Sequence, residues 1–252
     1  MNLINKYATL ITCLISASCS MSSPELIAHG GGEIDNHRYT NSLEAINKSV
    51  ADGYRYIEID FSITSDSVMV AAHDWRMFNR ITGFEHKGDT APTFADFSSR
   101  RIYDKYTPLS AADINKIFEK DTTIYLVTDK ISSPELLSRN FPHLKKRMVV
   151  EAFSYEDYDT LCSEGYFRVM FSVLAQDFAN MFLKHFIYSC FNEGHKIEWV
   201  VSDVHLYDVL RFKYAAKYLG LNIAIYTIND INELPSDIIN DVDMIYTDKI
   251  KP

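Results

Sequence analysis

The sequence of 252 residues predicts a single (β/α)₈ TIM barrel with a hairpin arm after its second strand. Short apolar runs alternate with longer helical patterns, as in parallel strands joined by crossover helices. The length is typical of such a barrel, which occupies about 250 residues. Glycine and proline are sparse, 9 and 7 residues, and mark no linker between two domains. The same alternation permits an open, doubly wound sheet, which is the alternative fold.

Eight apolar runs are predicted to form the parallel strands. They cover residues 26–29, 56–61, 123–129, 148–152, 168–172, 199–203, 222–227 and 243–247. A ninth run, residues 68–73, follows the second strand after only residues 63–67, whereas a parallel connection needs about a dozen residues or more. We therefore expect the ninth run to turn back as a hairpin arm or to leave the barrel wall.

Helical periodicity is clearest in four segments, in which apolar residues recur at spacings of three and four. These segments are residues 42–52, 110–120, 176–192 and 206–219. Asn41 and Ser42 supply N-cap groups before the first segment, and Gly53 and Gly220 follow the first and last as stop signals. The pattern therefore predicts helices between the strands.

The N-terminus has the order of an export signal: Lys6, an apolar run over residues 7–15, and small residues before Cys19. The run is shorter than the roughly 20 apolar residues that a membrane-spanning helix needs. We expect an export signal over residues 1–20 and a barrel domain over residues 21–252. Cys19 also predicts a lipoprotein signal, so the protein would be periplasmic or anchored to a membrane by lipid. An internal start at Met21 would instead leave it cytoplasmic.

The formal net charge of −9 argues against a nucleic-acid partner or a general anionic membrane surface, both of which require a positive surface. An anionic substrate remains compatible with this charge, because a bound divalent cation reverses the local potential. The sequence has no Walker loop, G-x-S-x-G elbow or dinucleotide-binding fingerprint.

Glu58 and Asp60 are the sharpest local feature. They lie two residues apart on a predicted strand, so they share the face that would line the barrel interior. Two carboxylates this close repel each other unless a cation lies between them. A hard, oxygen-preferring ion such as Mg²⁺ or Ca²⁺ is the expected partner. The alternative interpretation is a solvent-exposed alternating strand.

Further polar residues end other predicted strands, where side chains of a barrel converge on the active-site face. They are His29, Asp129, Glu151, Asp203 and Thr227. His73 ends the ninth run and precedes Asp74, which could orient it. Histidine titrates near neutral pH, so His29 and His73 could divide the proton transfers of a hydrolysis, or could be unrelated.

Residues 27–75 resemble the N-terminal signature of glycerophosphodiester phosphodiesterases and their barrel relatives. The matching positions, in order, are His29, Asn41-Ser42, Glu58, Asp60 and His73-Asp74. Residues 225–230 and 243–248 are similar to the last two strands of that family.

This resemblance implies a metal-dependent phosphoric diester hydrolase that cleaves glycerophosphodiesters to an alcohol and glycerol phosphate. It implies one divalent cation, Mg²⁺ or Ca²⁺, and a small phosphodiester or lipid head group as substrate; no protein partner is implied. The implied roles are general acid and base for His29 and His73, metal ligands for Glu58, Asp60 and Asp129, and substrate contacts for Asn41, Lys130 and Tyr226.

Several positions depart from the family pattern. Gly30 stands where the family has an arginine that helps to hold the phosphate, and Thr40 and Tyr226 stand where it has glutamate and tryptophan. The third metal carboxylate is normally a glutamate two residues before a lysine, whereas here Asp129 immediately precedes Lys130. Because adjacent strand residues point to opposite faces, Asp129 is the stronger of these two assignments.

Two other functions remain as alternatives. One is a phospholipase C-like or sphingomyelinase D-like enzyme acting on a lipid phosphodiester. Because Gly30 replaces the family's arginine, the site has space for a different head group. The other is a non-catalytic binding barrel with a degenerate site. Substrate choice is expected to depend on a long loop over residues 75–108.

Overall fold

The structure is a computed structural model that describes residues 23–173, 194–205 and 219–252. Nine strands are present: β1 (Glu25–Ala28), β2 (Tyr56–Ile63), β3 (Met69–Ala71), β4 (Tyr125–Asp129), β5 (Met148–Ala152), β6 (Arg168–Ser172), β7 (Trp199–Asp203), β8 (Asn222–Tyr226) and β9 (Met244–Thr247). All except β3 run parallel in the order β1-β9-β8-β7-β6-β5-β4-β2, and β1 pairs with β2 to close the sheet. The predicted closed barrel is therefore confirmed, and the open sheet is excluded.

The strand β3 lies outside the closed barrel. It pairs antiparallel with β2, with Phe61 opposite Ala71 and Ile63 opposite Met69. Beyond the hairpin, the backbone N–H of Ala72 donates to the carbonyl of Asp60 at 3.0 Å. The arm thus returns the chain to the level of Asp60, which brings His73 to the carboxyl end of the barrel.

Seven α-helices lie in the described ranges. They are α1 (Leu43–Ala51), α2 (Trp75–Ile81), α3 (Phe94–Ser99), α4 (Ala111–Lys120), α5 (Pro134–Asn140), α6 (Tyr155–Ser163) and α7 (Ser236–Ile239). Ser42 caps α1 by accepting from the Ala45 N–H, and Ser110 and Asp113 form a capping box at the start of α4. The predicted helix over residues 176–192, nearly all of that over 206–219, and the predicted export signal lie outside the described residues. None of the helices that the structure describes is long and apolar enough to cross a membrane.

Alternation along the strands divides the core into two layers. Ile57, Ile59 and Phe61 face outward into the layer that packs against the helices. The inward-facing apolar residues fill the barrel; they are Ile27, Tyr56, Val127, Val149, Met170, Val201, Ala224, Met244 and Tyr246. The polar inward-facing residues therefore lie at the carboxyl ends of the strands.

Residues 75–108 are not the long loop that was predicted. They contain α2 and α3 and pack around a separate apolar cluster that includes Phe78 and Phe97. The buried Arg100 lies 3.9 Å from the ring centroid of Phe84 and donates to Asn79 Oδ1 at 2.6 Å. Helices of six or seven residues are too short to show a clear period in the sequence, which explains the missed elements.

Candidate active site

Three carboxylates meet at the carboxyl end of the barrel. Glu58 and Asp60 project from β2, and Asp129 ends the neighbouring strand β4, where it lies opposite Asp60. One oxygen from each of the three lies within 4.8 Å of the others. Glu58 and Asp60 are each only 1% exposed, so the alternative of a solvent-exposed strand is wrong.

The protein leaves two of these carboxylate oxygens without a hydrogen-bond donor. Glu58 Oε2 accepts from the backbone N–H of Gly30 at 2.6 Å, and Asp60 Oδ2 accepts from the Asn41 amide at 3.0 Å. Glu58 Oε1 and Asp60 Oδ1 are buried with no hydrogen-bond partner among the described residues. Burial raises the pKa of both carboxyls, and the charge of Asp129 raises them further. Buried, unpartnered carboxylate oxygens in this number are suited to a divalent cation.

Lys130 turns toward the same carboxylates. Its Nζ lies 2.8 Å from Asp129 Oδ2 and 3.9 Å from Asp60 Oδ1. Burial lowers the pKa of Lys130, but the charges of Asp129 and Asp60 outweigh this effect and raise it above the ordinary lysine value. The argument that adjacent residues point to opposite faces fails here, because Lys130 has a φ of 71° and is no longer in a strand conformation.

His29 follows β1 in a single 3₁₀ turn and is held by two polar groups. Its Nδ1 lies 3.0 Å from the hydroxyl of Thr227 and 3.4 Å from Asp248 Oδ1. Burial raises the pKa of Asp248, but the His29 ring and Asn229 outweigh this and lower it. With Nδ1 directed to these partners, Nε2 is the ring nitrogen that His29 offers to the cavity.

His73 is oriented by the residue that follows it. Its Nδ1 lies 2.7 Å from Asp74 Oδ2, while Asp74 Oδ1 accepts from the Met77 N–H at 2.7 Å and so caps α2. The sequence predicted that Asp74 could orient His73, and the structure shows the contact. The helix fixes the carboxylate, and the carboxylate fixes the ring.

A cavity of about 240 Å³ lies against these groups, apart from the buried Asp60. Its wall is formed by His29, Tyr39, Glu58, His73, Asp129, Lys130, Glu151, Phe153, Ser172, Tyr226, Thr227 and Tyr246. Lys130 and Tyr226, two of the three predicted substrate contacts, are in this wall. No residue of the segment 75–108 lines the cavity within the described ranges, so the prediction that this segment shapes the substrate site is not supported.

Asn41, the third predicted substrate contact, does not face the cavity. It is completely buried, and both atoms of its amide bond to Asp60: Nδ2 donates to Oδ2 and Oδ1 accepts from the backbone N–H, each at 3.0 Å. In this position the Asn41 side chain lies outside the cavity wall. Asn41 orients a carboxylate from beneath the site.

The comparison with family models matches residues 30–170, more than half of the chain, to the glycerophosphoryl diester phosphodiesterase family. The chain belongs to this family. Its members are phosphodiesterases, and this barrel is a phosphoric diester hydrolase. The family resemblance predicted from residues 27–75 is confirmed.

Several solved structures of phosphodiesterases have the same barrel fold. A glycerophosphodiester phosphodiesterase from Thermotoga maritima is 15% identical, with 90% of this chain and 96% of that chain covered and a TM-score of 0.67. One from Parabacteroides distasonis is 18% identical, with 90% and 93% covered and a TM-score of 0.65. An Oleispira antarctica phosphodiesterase, in complex with the product sn-glycerol-3-phosphate, is 19% identical, with 90% and 93% covered and a TM-score of 0.64. Comparison with curated proteins finds no match.

Several residues around the site of this family member were not singled out from the sequence; they are Tyr39, Phe153, Ser172, Tyr246 and Asp248. Asp248 immediately follows β9, so the rule that placed His29 and Asp129 at strand ends could have found it. Tyr39 lies in an irregular loop and follows no strand or helix pattern. Glu151, noted only as a strand-end residue, lines the cavity and accepts from the Tyr246 hydroxyl at 2.6 Å.

Proposed function

We propose that the chain hydrolyses glycerophosphodiesters to an alcohol and glycerol phosphate, with one divalent cation, Mg²⁺ or Ca²⁺, and two histidines. The observation that carries this proposal is the placement of the carboxylate cluster and both histidines around one cavity. Family membership supports the reaction class.

Glu58, Asp60 and Asp129 would hold the cation through the oxygens that converge within 4.8 Å. When bound, such an ion neutralises phosphate charge and stabilises the charge that develops during displacement. The unpartnered oxygens of Glu58 and Asp60 favour this assignment, because an empty cluster of buried negative charges is costly. Lys130 supplies a second positive charge beside them, suited to a non-bridging phosphate oxygen.

His29 and His73 would divide the proton transfers at phosphorus. Each ring has Nδ1 against an aspartate, Asp248 or Asp74, which orients the ring and leaves Nε2 for the reaction. One ring accepts the proton of the attacking oxygen, and the other donates a proton to the leaving alcohol. The two histidines lie on different elements of the cavity wall, as this division requires.

The test is hydrolysis by the full chain, first stripped of metal and then supplied with Mg²⁺ or Ca²⁺. Glycerophosphocholine and glycerophosphoglycerol are compared with lysophosphatidylcholine and sphingomyelin. We expect cation-dependent release of glycerol phosphate, lost in Glu58→Gln and reduced by roughly 10²–10⁴-fold in His29→Gln and in His73→Gln.

The matched control is His37→Gln, because His37 stacks on Tyr103 at 3.7 Å outside the cavity wall. Turnover that persists in EDTA would contradict the cation. Turnover of the lipids alone would favour the phospholipase C-like or sphingomyelinase D-like alternative, and no turnover would favour a binding barrel.

We also propose that residues 1–20 export the chain and that Cys19 is lipidated. This proposal depends on the sequence pattern alone, since residues 1–22 lie outside the described ranges. Expression of the full chain in a Gram-negative bacterium, followed by fractionation and labelling with palmitate, tests it. Membrane-associated label that is lost in Cys19→Ser is expected, whereas an unlabelled cytosolic product would contradict both statements.

A further inference from the structure

Tyr39 occupies the part of the cavity wall between the two histidines. Its ring centroid lies 4.6 Å from that of His29 and 5.5 Å from that of His73, and both contacts are edge-to-face. Edge-to-face packing of this kind fixes ring orientation. The Tyr39 side chain therefore lines the cavity beside both histidines, with its hydroxyl close to Thr227.

The backbone reaches this position by closing over Gly30. Tyr39 has a φ of 54°, in the left-handed region that non-glycine residues rarely adopt. A Cβ at position 30 would meet Tyr39 Cα at 2.7 Å, so the closure requires glycine there. Left-handed tyrosine at a site costs energy and persists where the surrounding structure enforces it, which favours a functional use of the side chain.

The phenol keeps its proton at neutral pH. Burial raises the pKa of Tyr39, the charge of Asp248 raises it further, and a hydrogen bond from Thr227 opposes both only in part. A protonated phenol is a neutral hydrogen-bond donor. The uncharged Tyr39 phenol can therefore donate a hydrogen bond to an anionic oxygen.

Several wall residues carry hydroxyls, and among them Tyr39 packs against the rings of both His29 and His73. Glu58, Asp129 and Glu151 contribute carboxylates to the same wall. The Tyr246 hydroxyl donates to Glu151, and Lys130 is engaged by Asp129. A phosphodiester has two non-bridging oxygens that need donors, and Gly30 offers no side chain to supply one.

We propose that Tyr39 is a substrate-contacting residue, whose phenol O–H donates to a non-bridging oxygen of the phosphodiester between His29 and His73. This inference rests on the proposed function for its substrate. Tyr39 would thus bind the phosphate with a neutral donor at the place where the chain closes over Gly30.

Tyr39→Phe is the direct test, because it keeps the ring packing and removes only the donor. The affinity of the cation-loaded full chain for sn-glycerol 3-phosphate is measured by calorimetry, and kcat and KM are measured on glycerophosphocholine. Loss of a hydrogen bond to a charged oxygen is expected to weaken binding and to lower kcat/KM by about 10–100-fold. Cation affinity and the thermal midpoint without ligand are expected to stay at their original values.

Tyr103→Phe is the matched control. Tyr103 is also left-handed, with a φ of 52°, and also packs on a histidine, but it lies outside the cavity wall. A Tyr39→Phe variant that binds sn-glycerol 3-phosphate as tightly as the original chain would overturn the proposal. If the original chain binds it in a Tyr39-dependent manner yet hydrolyses no diester, the contact is supported and the proposed function fails.

Discussion

The Asn41 side chain holds Asp60 by two hydrogen bonds, one to its carboxylate and one from its backbone N–H, both 3.0 Å long. Both residues are buried, with exposed fractions of 0% and 1%. A loop residue thus fixes one of the three clustered carboxylates without reaching the cavity. The position that resemblance assigned to the substrate instead orients a candidate metal ligand.

Asn41→Ala is therefore expected to weaken cation binding by about 10–100-fold, as loss of a residue behind a metal ligand typically does. Turnover should recover at saturating cation, because the residue does not touch the substrate. Calorimetric titration with Mg²⁺ and Ca²⁺ measures the first effect, and kinetics against cation concentration measure the second. Asn140→Ala is the control, since the Asn140 amide bonds within its own helix, to Leu136 O at 2.8 Å. Turnover that saturating cation fails to restore would reinstate the direct substrate contact.

Lys130→Met should have opposite effects on two ligands. The ammonium lies 2.8 Å from Asp129 Oδ2, so an incoming cation has to displace it. Its removal is expected to tighten cation binding, by roughly tenfold for a change of about 1.4 kcal/mol, and to weaken phosphate binding. Calorimetry of each ligand separately checks this. Lys145→Met removes a pair with Glu164 and a contact with the Tyr166 ring, both outside the cavity wall, and should change neither affinity. Weaker cation binding in Lys130→Met would contradict the competition.

Glu151 gives the metal-free protein a pH dependence of stability. Burial raises the pKa of Glu151 well above the ordinary value, and the charge of Asp129 adds to this. Because the folded protein then binds this proton more tightly than the unfolded chain, the associated stability is complete below the ordinary glutamate pKa of about 4.3. It is lost as pH rises through the raised pKa.

Glu151→Gln is neutral and can still accept from the Tyr246 hydroxyl, so it should remove this dependence. Without metal, we expect the two proteins to unfold at similar temperatures near pH 4.5 and the variant to unfold at higher temperature by pH 8. Thermal unfolding at intervals between these pH values measures the difference. A difference that does not change with pH would show that the carboxyl does not titrate in this way.

Gly30→Ala is expected to destabilise the chain more than a comparable glycine substitution elsewhere. The new Cβ would meet a backbone atom of Tyr39 at 2.7 Å, which a side-chain rotation cannot relieve. Strain of this kind costs about 1–3 kcal/mol, or several degrees in the unfolding temperature. Gly165→Ala is the control, because Gly165 also has a positive φ, 74°, but nothing lies within 4 Å of its added Cβ. If the unfolding temperature falls equally in both variants, the positive φ of the glycine and not the contact with Tyr39 is the cause of the destabilisation.

Spacing along the chain was enough to predict the closed barrel and several residues that line its cavity. Period-two alternation placed Glu58 and Asp60 on the inner face of a strand, and strand-end positions identified His29 and Asp129. The short connection before residues 68–73 required an antiparallel return, which the pairing of β3 with β2 shows. These are local properties, and each depends only on the spacing of residues along the chain.

The groups that contact and orient those residues became apparent only from the three-dimensional fold. Asp248 meets His29 across more than two hundred residues of chain because β1 and β9 are neighbours. Lys130 reaches the carboxylates because a left-handed backbone turns it out of the strand pattern, and Tyr39 enters the cavity because its loop closes over Gly30. Such contacts are set by irregular backbone conformation and by sheet closure, neither of which leaves a periodic signal in the sequence.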